Sequence, residues 1–159
     1  MGEQVRSRPH SRAAWGYRSV VERLAGLPET LRPGDIESVQ VDLEKLYQAL
    51  LGVRCIGTTA ASKIIALLTL FHIPPVDGVI AECVIGKREP SKPSEYVTVV
   101  KKLAEILAEC MESREFLVYL AERRAEARSV IAAKPFKILD EGLWFTLVYE
   151  KKRVGVCRE

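Results

Sequence analysis

The sequence predicts an all-α domain of six to seven helices. Three observations predict it. Apolar residues recur at steps of three and four through most of the 159 residues, which is the helical period. Proline and glycine punctuate the boundaries between those stretches. No run shows the strict alternation expected of a half-buried strand. The length suits one domain with a sizeable core. The expected organisation is a basic tail over 1–10, a single domain over 11–150 and a short C-terminal tail over 151–159.

Trp15, Val20, Val21 and Leu24 place a first helix at 11–25. Gly26, Pro28, Pro33 and Gly34 end it and form the connection. Asp35 reads as the N-cap of a second helix, whose buried face is Ile36, Val39, Leu43, Leu46 and Leu50, closed by Gly52. A turn over 54–57 then feeds a third helix at 58–71. Its Ala61, Ile64, Ile65 and Leu68 lie on one face, and Leu67, Leu70 and Phe71 fill the rest. A helix apolar almost all round should be the buried centre of the fold. Pro74 and Pro75 force an extended exit, and Asp77 stands where the next helix needs a cap.

That fourth helix carries Ile80, Cys83 and Val84 and ends at Gly86. The stretch 87–94, rich in proline and charge, is a surface loop. Val97, Val100, Leu103, Leu107 and Cys110 mark a long helix over 94–112. Ser113 caps another, with Phe116, Leu120, Ala127 and Ile131 inward. Lys134 and Pro135 restart the chain, and Phe136, Leu139, Leu143 and Leu147 describe a last helix.

A net charge of +3 permits nucleic-acid binding without arguing strongly for it. Arg6, Arg8, His10, Arg12 and Arg18 concentrate positive charge at the N-terminus, read as a solvated tail ahead of a DNA-contacting arm. No segment reaches transmembrane length and no signal-peptide pattern is visible, so no membrane partner and a cytoplasmic location are expected. The four cysteines form no C-x-x-C pair, giving neither a zinc site nor a redox motif. The absence of Asn, with only three Gln and more Arg than Lys, points to a thermophilic source. Intracellular disulfides occur in such organisms, and the sequence leaves any pairing unassigned.

The most informative stretch is 53–86. Cys55–Ile56–Gly57 forms a hairpin-like turn, Thr58 to Ala61 lead into the third helix, and Pro75–Val76–Asp77–Gly78 closes the extended segment. This arrangement resembles the helix-hairpin-helix DNA glycosylases, the endonuclease-III-like superfamily that excises damaged bases. The step of 20 residues from Gly57 to Asp77 equals the family's step from its second hairpin glycine to its catalytic aspartate. Cys55 stands at the family's first hairpin glycine, Val79 where many relatives have His, and Glu82 where a basic residue is usual. The four cysteines are too dispersed for the family's iron–sulfur loop, so no cofactor or metal is expected.

The resemblance implies double-stranded DNA as partner and Asp77 as the catalytic carboxylate, stabilising the positive charge that develops on the deoxyribose and orienting a water. Thr59 occupies the position of the Schiff-base lysine of bifunctional relatives, so an active enzyme would be monofunctional. A hairpin ahead of a helix suits phosphate, because free N–H groups and the helix dipole converge on one anion. Cys55, Ile56, Gly57 and Thr58, with Lys63, Lys87 and Arg88, are the candidate DNA contacts. Trp15, Tyr17 and Trp144 are the aromatic candidates for a base pocket. Asp140 and Glu141 read as a solvated helix face, and His72 as a helix-end residue. The alternatives are a non-catalytic module of the same fold that binds DNA or protein, and an all-α interaction module whose turn is coincidental.

Overall fold

A computed structural model describes the backbone over residues 11–149 and the side chains over 17–143. The described residues form seven α-helices and one 3-10 turn, with no strand. In order these are α1 (Ser11–Ala25), α2 (Pro33–Leu51), α3 (Thr58–Leu68), α4 (Gly78–Ile85), α5 (Pro93–Glu112), α6 (Arg114–Glu126), the 3-10 turn (Ile131–Ala133) and α7 (Pro135–Tyr149). The all-α architecture and the order of helices agree with the sequence reading. The expected tails lie outside the described residues.

The centre of the fold is not α3. It is the pair α2 and α5, which make the most extensive helix–helix contact of the described chain. Tyr47 of α2 stacks on Tyr96 of α5 at 4.1 Å between ring centroids and 6° between planes, and both are fully buried. The Tyr47 hydroxyl donates to the Pro90 carbonyl at 2.9 Å. Burial, reinforced by the charges of Glu89 and Glu95, pushes the Tyr47 phenol up to about 12. Burial likewise pushes the Tyr96 phenol up. Leu43, Val99, Val100 and Leu107 complete this interior, while α1 and α3 pack on α2, and α4, α6 and α7 pack on α5.

α3 buries one face only, through Ala61, Ser62, Ile65 and Ala66. Leu67 and Leu68, 54% and 46% exposed, stand on the other. A helix apolar on every side does not reveal which side meets the core, and here the outer side meets solvent. α3 also ends earlier than expected, at Leu68. The Thr69 hydroxyl turns back to the Ile65 carbonyl at 2.9 Å and accepts the Ile73 amide at 3.2 Å. Leu70 and Phe71 then take left-handed φ values of 49° and 59°, which no helix continues through.

Two helix starts fall earlier than the sequence reading placed them. Asp35 is not a cap but the third residue of α2, its carboxylate accepting the Arg32 amide at 2.7 Å. Glu95 does the same for Lys92 at 3.0 Å in α5. In both helices proline occupies the first position, where its fixed φ suits the helix and its missing N–H costs nothing. The caps at Asp77 and Ser113 stand as read. Gly86 closes α4 at φ 73°, a left-handed position that favours glycine.

Candidate nucleic-acid interface

The turn between α2 and α3 is built by three backbone bonds. Gly52 donates to Gln48 at 3.1 Å, Val53 to Leu50 at 3.0 Å and Ile56 to Val53 at 3.1 Å. Between them Cys55 adopts φ 73°, so this cysteine holds a conformation that glycine takes more easily. Its thiol is exposed and free, and Cys110 is free as well. Ile56 turns inward against the core and anchors the loop. Gly57 begins α3 with extended backbone, and no side chain caps the helix.

A side chain at position 57 would meet nothing within 4 Å. Gly57 is therefore not required by local crowding, and its bareness leaves the start of α3 open to solvent. Helix geometry denies the amides of Thr58, Thr59 and Ala60 an intrahelical acceptor; the first intrahelical bond is Ala61 to the Gly57 carbonyl at 2.9 Å. Arg54 and Lys63 are exposed, and neither enters an ion pair among the described residues. Thr58 and Thr59 are half-buried in the first turn.

From α3 the chain is led to Asp77 by one side chain that sequence reasoning missed. The Ser62 hydroxyl, fully buried, accepts the Val76 amide at 2.5 Å and donates to the Val76 carbonyl at 2.9 Å. Both backbone groups of the residue before Asp77 are thus held by α3. Asp77 Oδ1 accepts the amides of Val79 and Ile80, each at 2.9 Å. Its other carboxylate oxygen has no hydrogen bond among the described residues.

Asp140 of α7 lies within electrostatic reach of Asp77 and Lys63. It is not on a solvated face, as the sequence reading had it: its side chain is 23% exposed, with Lys137 at 3.6 Å. Burial pushes its carboxyl up, against the pull of Lys137, and the negative charge of Asp77 adds to the rise. Glu141, by contrast, is exposed and pairs with Lys137 at 3.2 Å. The Lys137 ammonium stands 5.8 Å from the Phe71 ring centroid, a cation–π distance. Asp140 also lines a crevice with Pro74, Pro75, Ile80, Leu103, Phe136, Leu139 and Leu143, too narrow to admit a water. Pockets that enclose small ligands typically run to 300–1,000 Å³. Asp77 is not among the residues that line the crevice.

The remaining candidates divide. Lys87 pairs with Glu95, and Arg88 with Glu82 at 3.2 Å, so both cations of the loop after α4 have acidic partners within the protein. Tyr17 lines a different, mostly apolar groove of about 600 Å³ between α1, α2 and the end of α3, together with Val21, Leu46, Leu50, Val53 and Leu68. The structure does not bring Tyr17 to Asp77. The side chains of Trp15 and Trp144 lie outside the described residues. His72 is a tether: its Nδ1 donates to the Leu27 carbonyl at 2.5 Å and its Nε2 accepts from the Lys134 ammonium at 3.2 Å. Lys134, buried, also grips Glu29 at 2.5 Å and holds that carboxyl below its usual range.

Among the described residues no group of three or more His, Cys, Asp or Glu could hold a metal ion. None of their helices is long and apolar enough to cross a membrane. Comparison with protein-family models, curated proteins and solved structures gives no match to this chain.

Proposed function

We propose that this protein binds duplex DNA through a helix-hairpin-helix element of the glycosylase type. The observation that carries the reading is the uncovered start of α3, where Gly57 leaves three amides open, with the exposed cations Arg54 and Lys63 close to it in sequence. An anion placed there gains charge-assisted hydrogen bonds and the positive end of the helix dipole without displacing an internal partner. A phosphodiester is the matching anion on DNA.

A second reading, monofunctional hydrolysis of an N-glycosidic bond, is favoured by the free oxygen of Asp77. One oxygen caps α4 and the other is available to a sugar or a water, so capping and chemistry do not compete for the same atom. Thr59 in place of a Schiff-base lysine limits the reaction to water as nucleophile.

Duplexes carrying uracil, alkylated or oxidised bases, incubated with the protein and then cleaved by alkali at abasic sites, separate the readings. Strand cleavage after alkali that disappears in Asp77→Asn supports the hydrolytic reading. A salt-sensitive gel shift with no base release supports the binding module alone. Absence of both signals rejects the proposal and leaves a protein-interaction domain.

A further inference from the structure

The groove of about 600 Å³ between α1, α2 and the end of α3 has no part in the DNA-binding reading. α1 and α3 both pack on α2, and α2 contributes Leu46, Ala49 and Leu50 to the groove, positions i, i+3 and i+4 on one helix face. α1 adds Tyr17 and Val21, one turn apart, α3 adds its last residue, Leu68, and the turn after α2 adds Val53. Tyr17, Val53 and Leu68 are exposed, as are Leu67 and Leu70 next to Leu68 in the chain. Single exposed apolar side chains are ordinary, whereas a contiguous set of them marks a contact surface.

The charges of the groove indicate what covers it. It carries one cation and one anion, Arg18 and Glu22. They pair at 2.8 Å on successive turns of α1, and both side chains stand well out in solvent. The lining is therefore neutral in sum. A nucleic acid gains little from such a surface, because phosphate binding needs excess positive charge. A surface that binds its own copy has a different requirement: each group must find its complement within the same patch, since residue i meets j and j meets i across a two-fold axis. Arg18 and Glu22 satisfy it. With two α1 helices antiparallel about an axis passing between these residues, each Arg18 faces the Glu22 of the second copy. The offset of four residues, about 6 Å of helix rise, is the same in both copies.

We infer that this face is the contact between two copies of the chain, which bury Tyr17, Val21, Val53 and Leu68 together and cross-pair Arg18 with Glu22. Apolar burial supplies the affinity, and the charge pair fixes the register. The inference stands apart from the DNA-binding reading, and neither falls with the other.

Sedimentation velocity of the full chain over a concentration series tests it. The weight-average mass should climb from that of one chain to that of two. Leu68→Glu, which puts a charge into the groove from an exposed position, should stay monomeric with an unchanged circular dichroism spectrum. Arg18→Glu and Glu22→Arg each bring like charges together across the axis, so each variant alone should dimerise at least about tenfold more weakly. Mixed in equal amounts, these two variants should associate with each other, and a chain carrying both substitutions should dimerise as the parent does. Both positions are exposed, so folding is retained. A parent chain that stays monomeric at every concentration overturns the inference, and uptake of a small hydrophobic dye by that monomer would assign the groove to an apolar ligand instead. A dimer that survives Leu68→Glu, or single reversals that fail to associate on mixing, overturns it as well.

Discussion

Replacing Ser62 with alanine removes a single oxygen from the middle of α3, and with it both partners of the Val76 backbone. The lost contacts are the Val76 amide to Oγ at 2.5 Å and Oγ to the Val76 carbonyl at 2.9 Å, at a site where Ser62 and Val76 are both buried. Water does not reach there to replace them. A hydrogen bond contributes about 1 kcal/mol net, and a buried group left unpaired costs about 1–3 kcal/mol. Two such groups put Ser62→Ala at about 2–4 kcal/mol of destabilisation, a fall of about 5–15 °C in Tm for a chain of this size. Urea unfolding followed by circular dichroism reads the change as a lower midpoint at unchanged slope. Because the clamp sets the path into Asp77, the variant should also weaken any function that needs Asp77 and the hairpin in fixed relation. A Ser62→Ala protein within about 0.5 kcal/mol of the parent, the range of an ordinary surface change, refutes the clamp.

Capping and chemistry at Asp77 come apart by substitution. Asp77→Ala should cost about 1 kcal/mol through the lost cap, while Asp77→Asn, itself a good cap, should cost little yet remove any base release; urea midpoints and the alkali assay read the two effects. Cys55→Gly should raise stability by less than about 1 kcal/mol, since relief of the left-handed strain, about 1–2 kcal/mol, is partly offset by the looser unfolded chain; a lower urea midpoint counts against the strained turn. At Asp140 the folded carboxyl titrates above its unfolded value, chiefly through burial. Its ionisation therefore subtracts stability as pH rises from the unfolded to the folded value, and that loss persists at neutral pH. Asp140→Asn should be the more stable protein at pH 7, with the difference shrinking on acidification below the carboxylate range. Glu29 behaves oppositely. Its carboxyl is held low chiefly by the hydrogen bond from Lys134, so its contribution is present above the unfolded value and lost as pH falls through the folded one, and Glu29→Gln should flatten that acid limb by a small amount because the pair is partly exposed.

What could be read from the residues alone was local. The cap at Asp77, the stop at Gly86 and the cap at Ser113 depend on neighbours a few positions away, and each appears in the structure as the sequence implied. Pro33 and Pro93 also carried a readable signal, an N1 proline with an acid two residues later, which would have moved both helix starts to their true positions. Ser62 could not be read in this way, because its partners are 14 residues distant and a serine in an apolar helix announces nothing. The open side of α3 was illegible for a different reason: uniform apolarity removes the periodic contrast that names a buried face. Asp140 looked solvated beside Glu141, and only the packing of α7 against α4 turns one of the two acids inward. Lys87 and Arg88 looked available until the loop folded them back onto Glu95 and Glu82.

The proposed DNA binding depends most directly on the hairpin, with Arg54 and Lys63, gripping a phosphate backbone. An anisotropy titration of a labelled duplex over a series of salt concentrations measures this, for the parent chain and for the double variant Arg54→Ala with Lys63→Ala. Each phosphate contact contributes about 0.9 to the slope of log K against log salt. Binding should weaken with salt, and the double variant should bind less tightly with a slope smaller by about 2. Binding of parent and variant with the same affinity and the same slope, or no binding at the lowest salt, contradicts it.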